Sequence, residues 1–265
     1  MKRVKVLVHG VLGKMGLEVL KAVCSDPELE AVGGVDIKGA LKELPLPDGS
    51  RSIPFSANLE SALKRCHPEV MVDFTNAEAA MPAARTAIKY GTALVIGTTG
   101  LSAAELDEIE SLCRKKKIGA VVAPNFAIAA VLMMHLAKIS ARFFNYAEII
   151  ELHHEQKLDA PSGTALATAR DMVKARGKDF IHISAKKEPV TGSRGGELGG
   201  VALHSVRMPG LLAHQEVILG APGQTLRIRL DQINREAFMP GVTLAIKKAA
   251  ELKEALFGLD KLLGL

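Results

Sequence analysis

Tryptophan is missing from this 265-residue chain, which has only 2 tyrosines and 8 phenylalanines. Its core must therefore come from Val, Ile, Leu, Ala and Met, and few rings remain to stack on nucleobases. The formal charge is +5, but the basic residues are scattered apart from Lys115, Lys116 and Lys117. Such an excess suits a solvated surface or the steering of a small anion, and no nucleic-acid partner is expected. Cysteine is scarce: Cys24, Cys66 and Cys113 are far apart and form no CxxC pair. That excludes a disulfide framework and points to a reducing compartment. No long apolar run survives either, since the longest, 118–134, is broken by Pro124 and Asn125 and reads as a strand, a turn and a buried helix. The basic N-terminus has too short an apolar stretch for a signal peptide. A soluble, cytoplasmic protein with no membrane partner is the expectation.

What is present is a regular alternation. Apolar residues make up 48% and charged residues 24%, enough for one large or two modest domains. The runs 3–8, 30–36, 69–74, 92–97 and 118–123 read as strands, and most are followed by helical patterns. Strands separated by helices, each a near-continuous apolar run, predict an α/β fold with a Rossmann-like parallel, doubly wound sheet. After about residue 145 the pattern changes. A strand (147–153) and a helix (162–176) precede a loop rich in Gly and charge (185–200), and then come three strands with short turns. The last of these alternates through Leu226, Ile228 and Leu230, as in a sheet with one wet face. This predicts an α+β domain with an open mixed sheet, spanning 125–235. Residues 1–124 and 236–265 form the nucleotide domain, with a closing helical stretch over 242–263.

The strand-to-turn segment "VLVHGVLGKMG" carries Gly10, Gly13 and Gly16. Glycines there let backbone NH groups approach a pyrophosphate, and the next helix adds partial positive charge. Asp36 follows 20 residues after Gly16, where a carboxylate accepts hydrogen bonds from the adenosine ribose. Lys38, two residues on, could attract a 2′-phosphate, so NADH or NADPH is the expected cofactor. Three further segments fall at strand C-termini, where open parallel sheets bind ligands. They are "DFT" ending in Thr75, "GTTG" with Gly97, Thr98 and Thr99, and "APNF" with Ala123, Pro124, Asn125 and Phe126.

The segment "ELHHEQKLDAPSGTA", 151–165, concentrates chemistry. Pro161, Ser162, Gly163 and Thr164 open a helix whose first NH groups lack helical partners, a ready carboxylate site. A plain helix cap by Ser162 or Asp159 is the alternative. Lys157 adds a compact cation as substrate clamp or proton source. His153 and His154 point to opposite sides of an extended strand, so one site engages them unequally. A proton-transfer role suits histidine. Zinc, with Glu151 or Glu155 as a third ligand, is disfavoured because the doublet lacks helical spacing, and no metal site is expected.

This segment closely resembles the signature of the 4-hydroxy-tetrahydrodipicolinate reductase (dihydrodipicolinate reductase) family. "GVLGKMG", "VDFT", "GTTG", "APNF", "HSVRMPG" and "FMPGV" appear in the family's order over nearly the whole chain. The resemblance implies NADH- or NADPH-dependent reduction of a cyclic dicarboxylate to tetrahydrodipicolinate in lysine and diaminopimelate biosynthesis, by a homotetramer built on the second domain's sheet. It implies His153 as proton donor or acceptor and Lys157 as proton donor, with His154, Gly163 and Thr164 on the substrate. The cofactor would be held by Gly10, Val11, Leu12, Gly13, Lys14, Met15, Asp36, 97–99 and 123–126, with the site between domains. Lys14, "FTNAEA", Ala129 and "LDQINRE" depart from frequent family patterns, the first three where they touch cofactor fit. Two other readings remain open: an NADH-binding redox sensor without turnover, and another two-domain dehydrogenase of the aspartate pathway. An aldehyde-oxidising type would need a reactive thiol, whereas the three cysteines fall in predicted helices or at their ends.

Overall fold

The computed structural model of the protein describes residues 2–39 and 42–265. In chain order its elements are β1 (Val4–His9), α1 (Lys14–Ser25), β2 (Leu29–Val35), β3 (Glu43–Pro45), β4 (Ser52–Ser56), α2 (Leu59–Cys66), β5 (Val70–Asp73), α3 (Ala77–Lys89), β6 (Ala93–Ile96), α4 (Ala103–Lys116) and β7 (Ala120–Val122). Then come α5 (Ile128–Ser140), β8 (Tyr146–His153), α6 (Gly163–Arg176), β9 (Gly196–Leu198), β10 (Val201–Arg207), β11 (Ala213–Ala221), β12 (Gln224–Gln232), α7 (Met239–Glu251), β13 (Ala255–Phe257) and α8 (Leu259–Leu263). Two compact units result: Met1–Ile128 with Phe238–Leu265, and Ala129–Ala237.

The first unit holds an eight-stranded sheet of order β13-β7-β6-β5-β1-β2-β4-β3. All its pairings are parallel except β3 with β4. Every residue of β5, β6 and β7 is buried, as both faces are covered by helices. The order reverses at β1, which has β2 on one side and β5 on the other. That switch point opens a crevice at the strand C-termini, where this architecture takes its ligands.

The chain departs from its sequence pattern in two places here. No element was expected between residues 37 and 68, yet β3, β4 and α2 lie there. They are short, and Pro54 inside β4 hides the strand because proline cannot donate to a ladder. At the C-terminus, β13 interrupts the expected helical stretch and pairs in parallel with β7. Pairing with a sheet edge there outweighs local helical periodicity.

The second unit is a five-stranded mixed sheet of order β12-β11-β8-β10-β9. Alternation along β8 sends Ala147, Ile149 and Glu151 to one face. On that face α6 packs Ala165, Ala169 and Met172 into a core with Ile149, Leu203, Val217 and Leu219. The opposite face carries Glu148, His204, Glu216, Arg227 and Arg229, linked by ion pairs. Leu226, Ile228 and Leu230 share the core side of β12, yet Leu226 is exposed and the other two half-buried, because β12 is an edge strand. Residues 196–198 of the expected glycine-rich loop form β9, hydrogen-bonded to β10. Helix α5 is only half-buried: Ala130, Met133 and Ala137 are inside, while Leu132, Leu136 and Ile139 are 40%, 49% and 45% exposed.

Candidate active site

At the end of β1 the chain turns sharply. The NH groups of Gly10 and Val11 both donate to the Val35 carbonyl, and the Gly13 NH closes the turn on the Gly10 carbonyl at 3.0 Å. Gly10 adopts φ +77°, a region that favours glycine. A Cβ on Gly16 would lie 2.1 Å from the Gly10 carbonyl oxygen, so only glycine lets α1 approach the turn. Gly13 is different. It is exposed and caps α1 without a side-chain hydrogen bond, and a Cβ there meets only the Gly10 oxygen at 3.2 Å. The first turn of α1 contains no acidic residue. Among the described residues its NH groups thus have neither a capping side chain nor a carboxylate from the helix's own first turn, which fits a bound phosphate. Lys14 is exposed beside it and Met15 half-buried.

Asp36 is buried at the tip of β2, and its carboxylate ties the crevice together. One oxygen accepts the Leu12 NH at 2.9 Å and the other the Lys38 NH at 2.9 Å. Each oxygen keeps a second lone pair for a ribose hydroxyl. Lys38 itself is exposed.

Across the switch point stands a buried hub that the sequence did not single out. Asp73, 0% exposed, accepts from His9 Nδ1 at 2.6 Å, the Thr98 hydroxyl at 2.7 Å, and the NH and hydroxyl of Thr75 at 3.0 and 2.8 Å. Burial pushes its carboxyl up, but His9 and the hydroxyl and NH donors outweigh this and hold it below its ordinary value. The hub fixes three strand ends: β1 through His9, β5 through Thr75, and β6 through Thr98. Gly97 is tied to the same place, its NH donating to the Asp73 carbonyl, and Thr99 is exposed next to it. The signal was legible, since an acid at one strand end and a histidine at another face the same crevice in a parallel sheet.

The segment after β7 behaves unequally. Ala123 and Phe126 are 1% exposed, and Val11, in the turn after β1, is 0% exposed. The Phe126 ring meets Phe74 edge-on at 5.7 Å. These three side chains are core, so only their backbone groups face outward chemistry. Pro124 is exposed, and Asn125 caps the turn through the Ala127 NH at 2.8 Å.

In the second unit, β8 delivers Glu151 and His153 to one face because they are two residues apart on a strand. His153 Nδ1 lies 2.5 Å from Glu151 Oε2. Glu151 is 1% exposed and is held by Arg207 of β10, whose two terminal nitrogens reach its oxygens at 2.9 and 2.7 Å, and by the Ser162 NH at 3.3 Å. With its oxygens so engaged, Glu151 serves the histidine and the helix start rather than a metal. Burial first, then the Lys157 and Arg207 charges, depress the His153 pKa, with Glu151 acting the other way. His154 is half-buried on the other side of the strand.

Lys157 follows in a turn closed by its own NH on the His154 carbonyl, and its ammonium pairs with Asp159 at 2.7 Å. Asp159 is held below its ordinary pKa by Lys157 first and, among smaller contributions, by the Gly163 NH. Ser162 caps α6, accepting the Ala165 NH at 3.2 Å. The Ser162 cap occupies the Ala165 NH and not that of Thr164, while Asp159 takes the Gly163 NH, so an external anion at this helix start displaces Asp159. Gly163 is exposed and half-buried Thr164 follows it; a Cβ on Gly163 meets nothing within 4 Å. Within this unit His153, Lys157 and the helix start come together, with Glu151 and Arg207 as additions. The thiols offer no nucleophile: burial raises Cys24 and Cys66 above their ordinary values and Cys113 to about 11.

Comparison with known proteins bears on the whole chain. Family models described as dihydrodipicolinate reductase, N-terminus and C-terminus, match residues 4–126 and 129–263. A 4-hydroxy-tetrahydrodipicolinate reductase of Dehalococcoides mccartyi is 56% identical over 100% of both chains. The protein of that name from Moorella thermoacetica is 48% identical over 98% of both. A solved structure of dipicolinate-bound dihydrodipicolinate reductase from Paenisporosarcina superposes with a TM-score of 0.87 at 38% identity, covering 98% of this chain and 99% of that one. An amine dehydrogenase from Mycobacterium smegmatis shares the fold alone, with a TM-score of 0.65 at 14% identity and 97% and 95% coverage.

Proposed function

The chain belongs to the dihydrodipicolinate reductase family, and from that premise we propose that it reduces 4-hydroxy-tetrahydrodipicolinate, by way of the dihydrodipicolinate left when the hydroxyl departs as water, to tetrahydrodipicolinate with NADH or NADPH, a step of lysine and diaminopimelate biosynthesis. The reduced nicotinamide supplies a hydride. Everything else falls to side chains and backbone of this chain.

The NH groups of Lys14 and Met15 at the start of α1 hold the pyrophosphate in the turn that residues 10–13 shape, Asp36 the adenosine ribose, with Lys38 available to a 2′-phosphate. The strand ends at Thr75, 97–99 and 123–126 orient the nicotinamide end, under the control of Asp73. In the second unit the NH groups of Gly163 and Thr164 with the Ser162 and Thr164 hydroxyls seat one carboxylate of the substrate. Lys157 and His154 take the dianion's remaining charge. Asp159 now leans on Lys157 and Gly163; a substrate carboxylate replaces it there, as an external anion for an internal one. Once the ring has accepted a hydride it carries negative charge, and His153 or Lys157 delivers the balancing proton. Residues 1–124 and 236–265 thus serve the nucleotide and 125–235 the substrate. The ion-paired outer face of the second sheet is the surface on which a homotetramer assembles, and the enzyme works in the cytoplasm without membrane or nucleic acid.

The observation that carries this reading is the histidine–carboxylate pair of β8 beside a cation and an open helix start, all from one short segment. The test is NADH and NADPH oxidation with freshly generated substrate, with and without pyridine-2,6-dicarboxylate. We expect substrate-dependent oxidation and competitive inhibition by this flat dianion. Cofactor binding without turnover, or no inhibition at millimolar dianion, overturns the assignment.

A further inference from the structure

We infer that Glu151, clamped by Arg207, is the positioning residue that sets which ring nitrogen of His153 carries the mobile proton and how tightly it is held. This rests on the reading of His153 as proton donor.

The argument begins with a committed carboxylate. Glu151 is buried, which pushes its carboxyl up; the Arg207 fork, the Ser205 hydroxyl and His153 outweigh this, hold it below its ordinary value and keep it ionised. An ionised carboxylate only accepts hydrogen bonds. His153 Nδ1, 2.5 Å from Oε2, must therefore carry a hydrogen. The neutral ring is then the Nδ1–H tautomer, and its lone pair sits on Nε2. A proton taken from solvent lands on Nε2, and that is the proton the ring can give away. On transfer the Nε2–H bond breaks and a C–H bond forms at the substrate carbon left electron-rich by hydride addition. The imidazole returns to neutral with Nδ1–H undisturbed, and water reloads Nε2.

The clamp also decides when the donor is loaded. His153 is faced by Glu151 on its own strand, by Arg207 directly opposite on β10, and by Lys157 from the following turn; β11 presents only Ala213. Of these, Glu151 alone favours the imidazolium. Arg207 cannot do so, yet it is needed, because it holds Glu151 in place and ties the same carboxylate to the Lys157 turn through the Asp159 carbonyl at 2.7 Å. One guanidinium thus keeps both proton donors in register.

The experiment uses the full-length enzyme. In Glu151→Gln the side chain keeps its shape and loses its charge. We expect the limb on which kcat falls with rising pH to move ~1–3 pH units toward acid, with NADH affinity unchanged and partial restoration by Glu151→Asp. In parallel, nitrogen-15 NMR of histidine-labelled wild-type protein, with His153 assigned from His153→Gln, should show the neutral ring as the Nδ1–H tautomer. This second readout does not depend on the variant folding. A slower Glu151→Gln enzyme with an unmoved limb, or an Nε2–H tautomer, overturns the inference. If His153→Ala keeps wild-type turnover while the tautomer is Nδ1–H, it is the role of His153 itself that fails, and the inference falls with it.

Discussion

Gly163→Ala separates fold from function at the proposed carboxylate site. Glycine opening a helix is usually explained by backbone freedom, but Gly163 shows no positive φ and a Cβ there meets no atom within 4 Å. The fold has no need of glycine at this position. Alanine is the better helix former by up to ~1 kcal/mol in a helix interior, and less in a first turn. Stability should therefore stay level or rise by a few tenths of a kcal/mol. A substrate carboxylate accepting the NH groups of Gly163 and Thr164 must approach the face from which that methyl would project. Loss of one charge-assisted hydrogen bond costs ~1.5–3 kcal/mol, roughly ten- to hundredfold in affinity. The expected result is a KM for the dicarboxylate raised by about that factor, with the KM for NADH and the thermal midpoint unchanged. Steady-state kinetics and a thermal melt on the same sample decide it. An unchanged substrate KM, or a melting point that falls with it, refutes the reasoning.

Gly16→Ala should do the reverse. Its Cβ would meet backbone at 2.1 Å, so the turn must open; calorimetric titration should show NADH affinity lost and the melting temperature lowered. Asp36→Ala removes an acceptor from the ribose site, so the KM for NADH should rise more than that for NADPH; equal rises would remove Asp36 from that role. Asp73 has a folded pKa below its ordinary value, so it contributes stability that is complete above the unfolded carboxyl pKa, ~3.9, and is lost as pH falls through the folded value. Urea unfolding should therefore show Asp73→Asn less stable than wild type near neutrality, with the gap closing below about pH 4; a pH-independent gap would mean that charge plays no part.

Local pattern determined much of this protein. Apolar runs spaced by helical stretches specify a parallel sheet covered on both faces, because strand and helix periodicities are written in consecutive residues. The glycine turn, the Ser162 helix start and the placement of Glu151 and His153 on one face of a strand all rest on neighbours a few positions apart. Periodicity is silent where an element exists only through a distant partner. β13 is a strand because β7 offers it an edge, and β4 because β2 and β3 flank it despite Pro54. The same holds for the chemistry. The His153–His154 doublet is visible in the sequence, but Arg207 reaches Glu151 across 56 positions, and His9 reaches Asp73 across 64. Charge pairing depends on distance in space, which chain order does not record, so only the tertiary structure could say that Arg207 would clamp Glu151 and that His9 would meet Asp73.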